Sequence, residues 1–299
     1  MAASPDHATA PTFDLQSHSL HSDGTLAPAE VVAAAARAGV VLLALTDHDS
    51  VDGVAEAQTA AAAYGVTLVS AAEISVLDAS GSDLHLLGYR VDVSDPALTA
   101  ALARSREARE QRAELIVGRL EELGWHVDRT FLAAHVDAGT TVGRPHLAEA
   151  VLRAPANAPR LAAEGLPDAT AFLVAYLIEG RPAFLPREAP TVAEAIALIH
   201  GAGGLAVWAH PFWDLSADPD VCATLERFCA EGLDGVEAFY ITHTAEQTAL
   251  LVSQAAGLGL LTTGSADFHG PGHRLFHRFR AFSTHGLPVN LGPIAEPLS

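Results

Sequence analysis

A chain of 299 residues, 49% of them apolar, can bury one large core or a core carrying a smaller insert. All 17 basic residues are Arg, which excludes Schiff-base chemistry, a phosphate-loop lysine and a carbamylated-lysine metal bridge. A formal net charge of −19 argues against long nucleic acid as a partner, since that binding needs many cationic contacts to phosphate.

Residues 1–12 lack the charged start and apolar block of a secretory signal and read as a disordered lead-in. Beyond them, runs rich in Val, Leu and Ile predict strands at 13–16, 41–46, 67–71, 84–89, 205–209, 235–238 and 260–263. Ala-rich amphipathic stretches predict helices at 28–38, 54–64, 192–202, 219–231 and 245–258. Pro28 sits in a first-turn position, and Thr191 and Thr244 are candidate N-caps. Such alternation predicts parallel strands joined by helical crossovers, an α/β fold.

The alternation breaks over 94–181, which reads as a helical insert with turn signals at Gly124, Gly139 and Gly143. The α/β core then covers 13–93 and 182–285, and 286–299 is a C-terminal tail. No apolar run approaches the ~20 residues that span a bilayer, so no membrane partner is expected. Cys222 and Cys229 lie seven apart on one predicted helix. That places their backbones ~10 Å apart, too far for a disulfide, and predicts a reducing, cytoplasmic setting.

The polar residues are placed in a pattern. His18 follows the first strand, His48 the second, Glu73 the third and His210 the fifth; Asp267 and His269 follow the last, and His85 lies on the strand between. Parallel strands of a closed or nearly closed barrel bring their C-terminal ends to one face, where distant residues converge. Imidazole nitrogen and carboxylate oxygen suit Mn²⁺, Zn²⁺ or Fe²⁺, and a carboxylate can bridge two ions. Seven or eight such groups exceed the capacity of one ion, so two or three divalent ions are expected: Mn²⁺ first, with Zn²⁺, Fe²⁺ or Mg²⁺ as alternatives.

The motifs Ser22-Asp23-Gly24, Thr46-Asp47-His48-Asp49, the Glu73 segment, Asp83-Leu84-His85, Gly143-Arg144-Pro145-His146, Ala209-His210-Pro211 and Asp267-Phe268-His269 resemble those of the PHP family, the polymerase-and-histidinol-phosphatase phosphoesterases. More narrowly they look like its nucleotide and oligonucleotide phosphatases. The resemblance implies a distorted (β/α)7 barrel with a helical insert and three neighbouring metal sites. His18, Glu73 and Asp267 would serve the first. Glu73 would bridge to a second ion held by His85 and His210, and Asp23, His48 and His269 would hold a third. The family's first motif is His-x-His, and here Gln16 takes the place of its first His. Gln16 is therefore a weaker candidate ligand, and lower metal affinity is expected.

The expected mechanism is in-line attack by a metal-bridged hydroxide on a phosphate ester, with Asp23 and His210 as candidates for moving protons. Arg144 and Arg181 are candidates for phosphate contact, because guanidinium grips phosphate as a planar fork. His146 and His243 match family positions near the substrate. The implied substrate is a nucleotide phosphomonoester, such as a nucleoside 3′,5′-bisphosphate, or a short oligonucleotide that releases 5′ nucleotides. Three rivals stand beside this reading: a histidinol-phosphate phosphatase, an amidohydrolase, and a metal-binding regulatory module without turnover.

Overall fold

A computed structural model describes residues 11–79, 81–137, 142–186 and 188–296. The chain divides into two compact units, one comprising Met1–Leu102 and Pro190–Ser299, the other Ala103–Ala189.

The first unit is built on seven strands, β1 (Phe13–Asp14), β2 (Leu42–Leu45), β3 (Thr67–Leu77), β4 (Asp83–Tyr89), β5 (Leu205–Trp208), β6 (Gly235–Tyr240) and β7 (Leu261–Ser265), which lie in sequence order across one sheet. The sheet curls until its edges meet. Leu15 N donates to Gly264 O at 3.1 Å, and Ser17 bridges Phe268 in parallel register. The result is a nearly closed, distorted (β/α)7 barrel, as the α/β alternation and the family resemblance led us to expect.

The expectation of parallel strands holds for the β1–β2–β3 and β5–β6–β7 runs and fails at β4, which is antiparallel to both β3 and β5. The reason is the link from β3 to β4, residues 78–82, whose turn closes with Asp78 N on Ser82 O at 3.0 Å. A parallel crossover needs a dozen residues or more. Reversal brings the beginning of β4, and with it His85, to the face where the parallel strands end. β3 also runs further than expected, so Glu73 sits within the strand, opposite Leu87 of β4, rather than after it.

Helices α1 (Pro28–Arg37), α2 (Val54–Tyr64), α3 (Pro96–Glu122), α4 (Arg129–Asp137), α5 (Arg144–Arg153), α6 (Ala158–Glu164), α7 (Ala169–Tyr176), α8 (Val192–Gly201), α9 (Pro211–Asp214), α10 (Asp218–Ala230) and α11 (Ala245–Leu258) complete the regular structure. Pro28 opens α1, and Thr191 and Thr244 cap α8 and α11 through their hydroxyls in capping boxes with Glu194 and Gln247. Each box satisfies backbone N–H groups that would otherwise have no partner at the helix start. The apolar faces of α1, α2, α8, α10 and α11 pack on the strands in one core, as where Trp208 of β5 meets Phe228 of α10 edge-on at 5.2 Å. Cys222 and Cys229 are free thiols on α10, both half-buried. Within the expected tail, Ile294 is buried, and Asn290 exchanges hydrogen bonds with Thr262 of β7.

The second unit has its own core of Leu120, Trp125, Leu147, Val151 and Phe172. Buried Asn157 ties it together, donating to His126 O and Val151 O at 2.7 Å each and accepting from His126 N at 3.0 Å. Gly139, expected as a turn signal, lies outside the described residues. No helix among the described residues is long and apolar enough to cross a membrane.

Candidate metal centre

The site begins with a turn that the sequence locks in place. After β1 the chain folds back on itself through residues 18–24, and the buried Asp47 carboxylate gathers that turn. It accepts from Ser19 N, Ser19 Oγ and Ser22 Oγ, all at 2.7 Å. Hydrogen bonds to a charged acceptor are the strong kind, so three of them fix His18 and Asp23 firmly. Gly24 packs directly on the His18 carbonyl, leaving no room for a Cβ. That is the physical content of Ser22-Asp23-Gly24.

The remaining side chains come from within β3 and β4 and from the turns after β2, β5 and β7. His48 bridges Glu73 in parallel register, and Asp49 N donates to Glu73 O at 2.8 Å. Asp49, His210 and Asp267 are non-glycine residues with positive φ, at 50°, 29° and 52°. Such backbone costs ~1–3 kcal/mol per residue and persists where surrounding structure over-determines it. All three lie where the chain leaves β2, β5 or β7.

Glu73 is the hub. Its Oε1 lies 3.0 Å from His85 Nδ1 and 3.2 Å from His210 Nε2. Its Oε2 lies 3.2 Å from His18 Nε2 and 3.7 Å from His48 Nδ1. His18 Nε2 is also 3.1 Å from Asp267 Oδ1. Toward the mouth, Asp23 faces His18 Nδ1 at 3.5 Å, His48 Nε2 at 3.7 Å and His269 Nε2 at 3.4 Å. The rings of His18 and His269 stack at 4.2 Å. His269 Nδ1 donates to the Asp267 carbonyl at 2.7 Å, which leaves the Nε2 lone pair for the cluster.

Burial and charge compete here. Burial, the largest influence on Glu73, would raise its carboxyl, but His48, His85, His18 and His210 outweigh it and hold Glu73 well below the usual carboxylate range. Burial also opposes charge on His18 and His210. It is outweighed at His18 by Asp267, Glu73 and Asp23, and at His210 by Asp214 and Glu73, so both imidazoles are raised well above their ordinary value. At His48 burial prevails over Glu73 and Asp23 and lowers the ring to about 3. Asp23, 37% exposed, is lowered because His48 and His269 outweigh its desolvation.

Tyr240 and Glu237 were not among the site residues expected from sequence. Tyr240, buried at the end of β6, donates its hydroxyl to Asp267 Oδ2 at 2.7 Å. Glu237 of β6 is fully buried, accepting from Ser265 Oγ at 2.6 Å and from His210 N at 2.9 Å. A lone carboxylate in an apolar strand was the available signal, since burying one without partners is costly. Gln16 places its Nε2 2.8 Å from Glu73 Oε2 and its Oε1 3.3 Å from Ser265 Oγ. So oriented, it offers the cluster a hydrogen bond rather than a lone pair.

His18, Asp23, His48, Glu73, His85, His210, Asp267 and His269 thus converge. His243 is in none of the ligand groups; it is buried against Tyr240 and Phe212, its Nδ1 donating to the Ala238 carbonyl at 3.1 Å. Arg144, His146 and Arg181 belong to the helical unit, where His146 Nδ1 accepts from Gly143 N at 3.1 Å.

The donor set fits divalent cations. Three overlapping groups, His18/Asp23/His48/His269, His48/Glu73/His85 and His18/Glu73/Asp267, each bring ligand atoms within 4.8 Å of one another. His18 Nε2, His48 Nδ1, His85 Nδ1 and Asp267 Oδ1 are buried in the cluster yet make no well-directed hydrogen bond. Nitrogens and oxygens that are close but misaligned for hydrogen bonding are what a shared cation requires.

A barrel with such a cluster at its mouth is the scaffold of a metal-dependent hydrolase. The family model described as the PHP domain matches residues 14–154. The chain is 34% identical over 259 residues to a 5′-3′ exoribonuclease of Haemophilus influenzae, covering 87% of this chain and 90% of the relative. It is 33% identical over 265 residues to a 3′,5′-nucleoside bisphosphate phosphatase of Chromobacterium violaceum, covering 87% and 88%. A Bifidobacterium adolescentis structure described as a metal-dependent phosphoesterase superposes with a TM-score of 0.73 at 30% identity, over 89% of this chain and 91% of that one. The chain belongs to the PHP family.

Proposed function

We propose that this phosphoesterase removes a phosphate from a nucleotide, foremost a nucleoside 3′,5′-bisphosphate, or releases 5′ nucleotides from short oligonucleotides. The observation that carries this reading is the division of Glu73. One oxygen faces His85 and His210 and the other faces His18, the disposition a carboxylate needs to bridge two cations. His18, Glu73 and Asp267 would hold one ion, Glu73, His85 and His210 a second, and Asp23, His48 and His269 a third, with Mn²⁺ the first choice. Such ions, when bound, supply an activated water and positive charge opposite the developing phosphate charge.

The protein's own residues do the rest. The Asp47-locked turn holds His18 and Asp23 in place, and Tyr240 fixes the rotamer of Asp267. Asp23 is the most exposed of the ligand carboxylates and stays ionised, ready to take a cation or accept a proton at the mouth. Arg144, Arg181, His146 and His243 stand as candidate substrate contacts. The names of the two relatives support the nucleotide class, and the chain's net charge of −19 favours short substrates over long polymers.

The test is phosphate release by chelator-treated protein, with and without added Mn²⁺, from a nucleoside 3′,5′-bisphosphate, a short oligoribonucleotide and histidinol phosphate. Manganese-dependent release from the first two supports the reading. Release from histidinol phosphate alone would replace it, and no release from any would leave a binding module.

A further inference from the structure

Of the three tryptophans, Trp125 and Trp208 are buried, whereas Trp213 is 53% exposed. It stands on α9, three residues after His210, and its backbone N donates to His210 O at 2.8 Å. Its ring centre lies 5.6 Å from that of Phe276 and 6.4 Å from that of Tyr240. Phe276 in turn lies 5.3 Å from His269 and stacks on His273 at 4.9 Å with planes 15° apart. An aromatic wall therefore runs from an open indole to the edge of the ligand cluster. Phe276 and Tyr240 are buried, so the open faces of this wall are the Trp213 indole and the His273 ring.

A second feature lies on the same wall. Phe276 and His273 belong to the loop 270–278, which carries Arg274, His277 and Arg278 and no acidic residue, on a chain whose net charge is −19. Arg274 and Arg278 are exposed, and among the described residues neither forms an ion pair. Elsewhere on this unit Arg227 is held by Asp78, and Arg280 is held by the carbonyls of Pro11 and Ala38. The wall thus offers a flat π surface and unneutralised guanidinium groups together, a combination suited to an aromatic anion.

We propose that Trp213 and the loop 270–278 form the subsite for the part of the substrate that does not react. The nucleobase stacks on the Trp213 indole, and Arg274 and Arg278 attract the phosphate that is retained. This rests on the nucleotide reading above and adds to it where the base is recognised. Base–aromatic stacking tolerates any base, so the subsite selects nucleotides as a class rather than one base.

The experiment compares kcat/KM for adenosine 3′,5′-bisphosphate and glycerol phosphate in Mn²⁺-loaded wild type, Trp213→Leu, Trp213→Phe and Arg274→Ala/Arg278→Ala. It is joined to a titration of tryptophan fluorescence with adenosine 3′,5′-bisphosphate. Trp213→Leu is expected to lose the preference for the nucleotide about tenfold or more, chiefly through KM, and Trp213→Phe to recover most of it. The double Arg variant is expected to raise KM for the bisphosphate with a weaker dependence on salt. Quenching is expected in wild type and not in Trp213→Leu. Nucleotide cleavage whose preference stays within twofold in Trp213→Leu, or quenching that persists there, overturns the subsite while the nucleotide reading stands. Wild type that cleaves glycerol phosphate but no nucleotide overturns both.

Discussion

The side-chain amide of Gln16 donates to Oε2 of Glu73 across 2.8 Å, with both groups fully buried. The opposite amide orientation would set oxygen against oxygen at that distance, so the partners dictate the orientation. Behind Gln16 the contacts continue through Ser265 to Glu237, and Glu237 takes the backbone N–H of His210. The position where the family's first motif has an imidazole thus holds an orienting group for the carboxylate at the centre of the cluster. Gln16→Leu keeps the volume and removes the donor. We expect it to weaken Mn²⁺ retention during dialysis ten- to a hundredfold, the scale on which groups behind metal ligands matter. Unchanged retention would mean the bond to Glu73 is incidental.

Glu73→Ala removes both oxygens from between the two sets of imidazoles. Phosphate release should fall by about 10³-fold or more, and circular dichroism should stay that of the wild type. Full activity in a folded Glu73→Ala protein would rule out the bridge.

Tyr240→Phe deletes one hydroxyl, the partner of Asp267 Oδ2. Activity at limiting Mn²⁺ should drop about ten- to a hundredfold and recover in part at high Mn²⁺, whereas stability should fall by only ~1 kcal/mol. A loss that excess metal leaves unchanged would point to a role at the substrate instead.

Burial pushes the Glu237 carboxyl up to about 8, against ~4.3 for an exposed glutamate. An acid whose folded value is raised stabilises the fold fully below the unfolded value, and that contribution is lost as pH rises through the folded one. Metal-free wild type should therefore lose on the order of several kcal/mol between pH 4.5 and 8 through this group. Glu237→Gln keeps an acceptor for His210 N and turns its amide N–H toward Ser265 Oγ, which can accept, while removing the titration, so its unfolding free energy should decline less over that interval. Denaturant melts at both pH values check this, and parallel declines would show that Glu237 does not carry the change.

Much of this centre can be read from residue order. His18, His48, His210, Asp267 and His269 each stand just past a Val- or Leu-rich run, and the barrel closes those runs into a ring. The direction of β4 was not readable: the predicted runs at 67–71 and 84–89 leave room for a crossover, and only the extension of β3 to Leu77 shortens the link to 78–82. Tyr240 was not readable: it closes an apolar strand, and its partner Asp267 lies 27 residues on. Trp213 looked like one more apolar residue, since exposure depends on what the fold places around it. Gln16 was noticed as a departure, but its orientation depends on Ser265 of a strand at the opposite end of the chain.

The most direct test of the central claim is anomalous diffraction from crystals soaked in Mn²⁺, recorded together with the metal content of the purified protein. The account predicts two or three peaks ringed by His18, Asp23, His48, Glu73, His85, His210, Asp267 and His269, and more than one manganese per chain. Protein that retains no transition metal and shows no anomalous density at that mouth after soaking would contradict it.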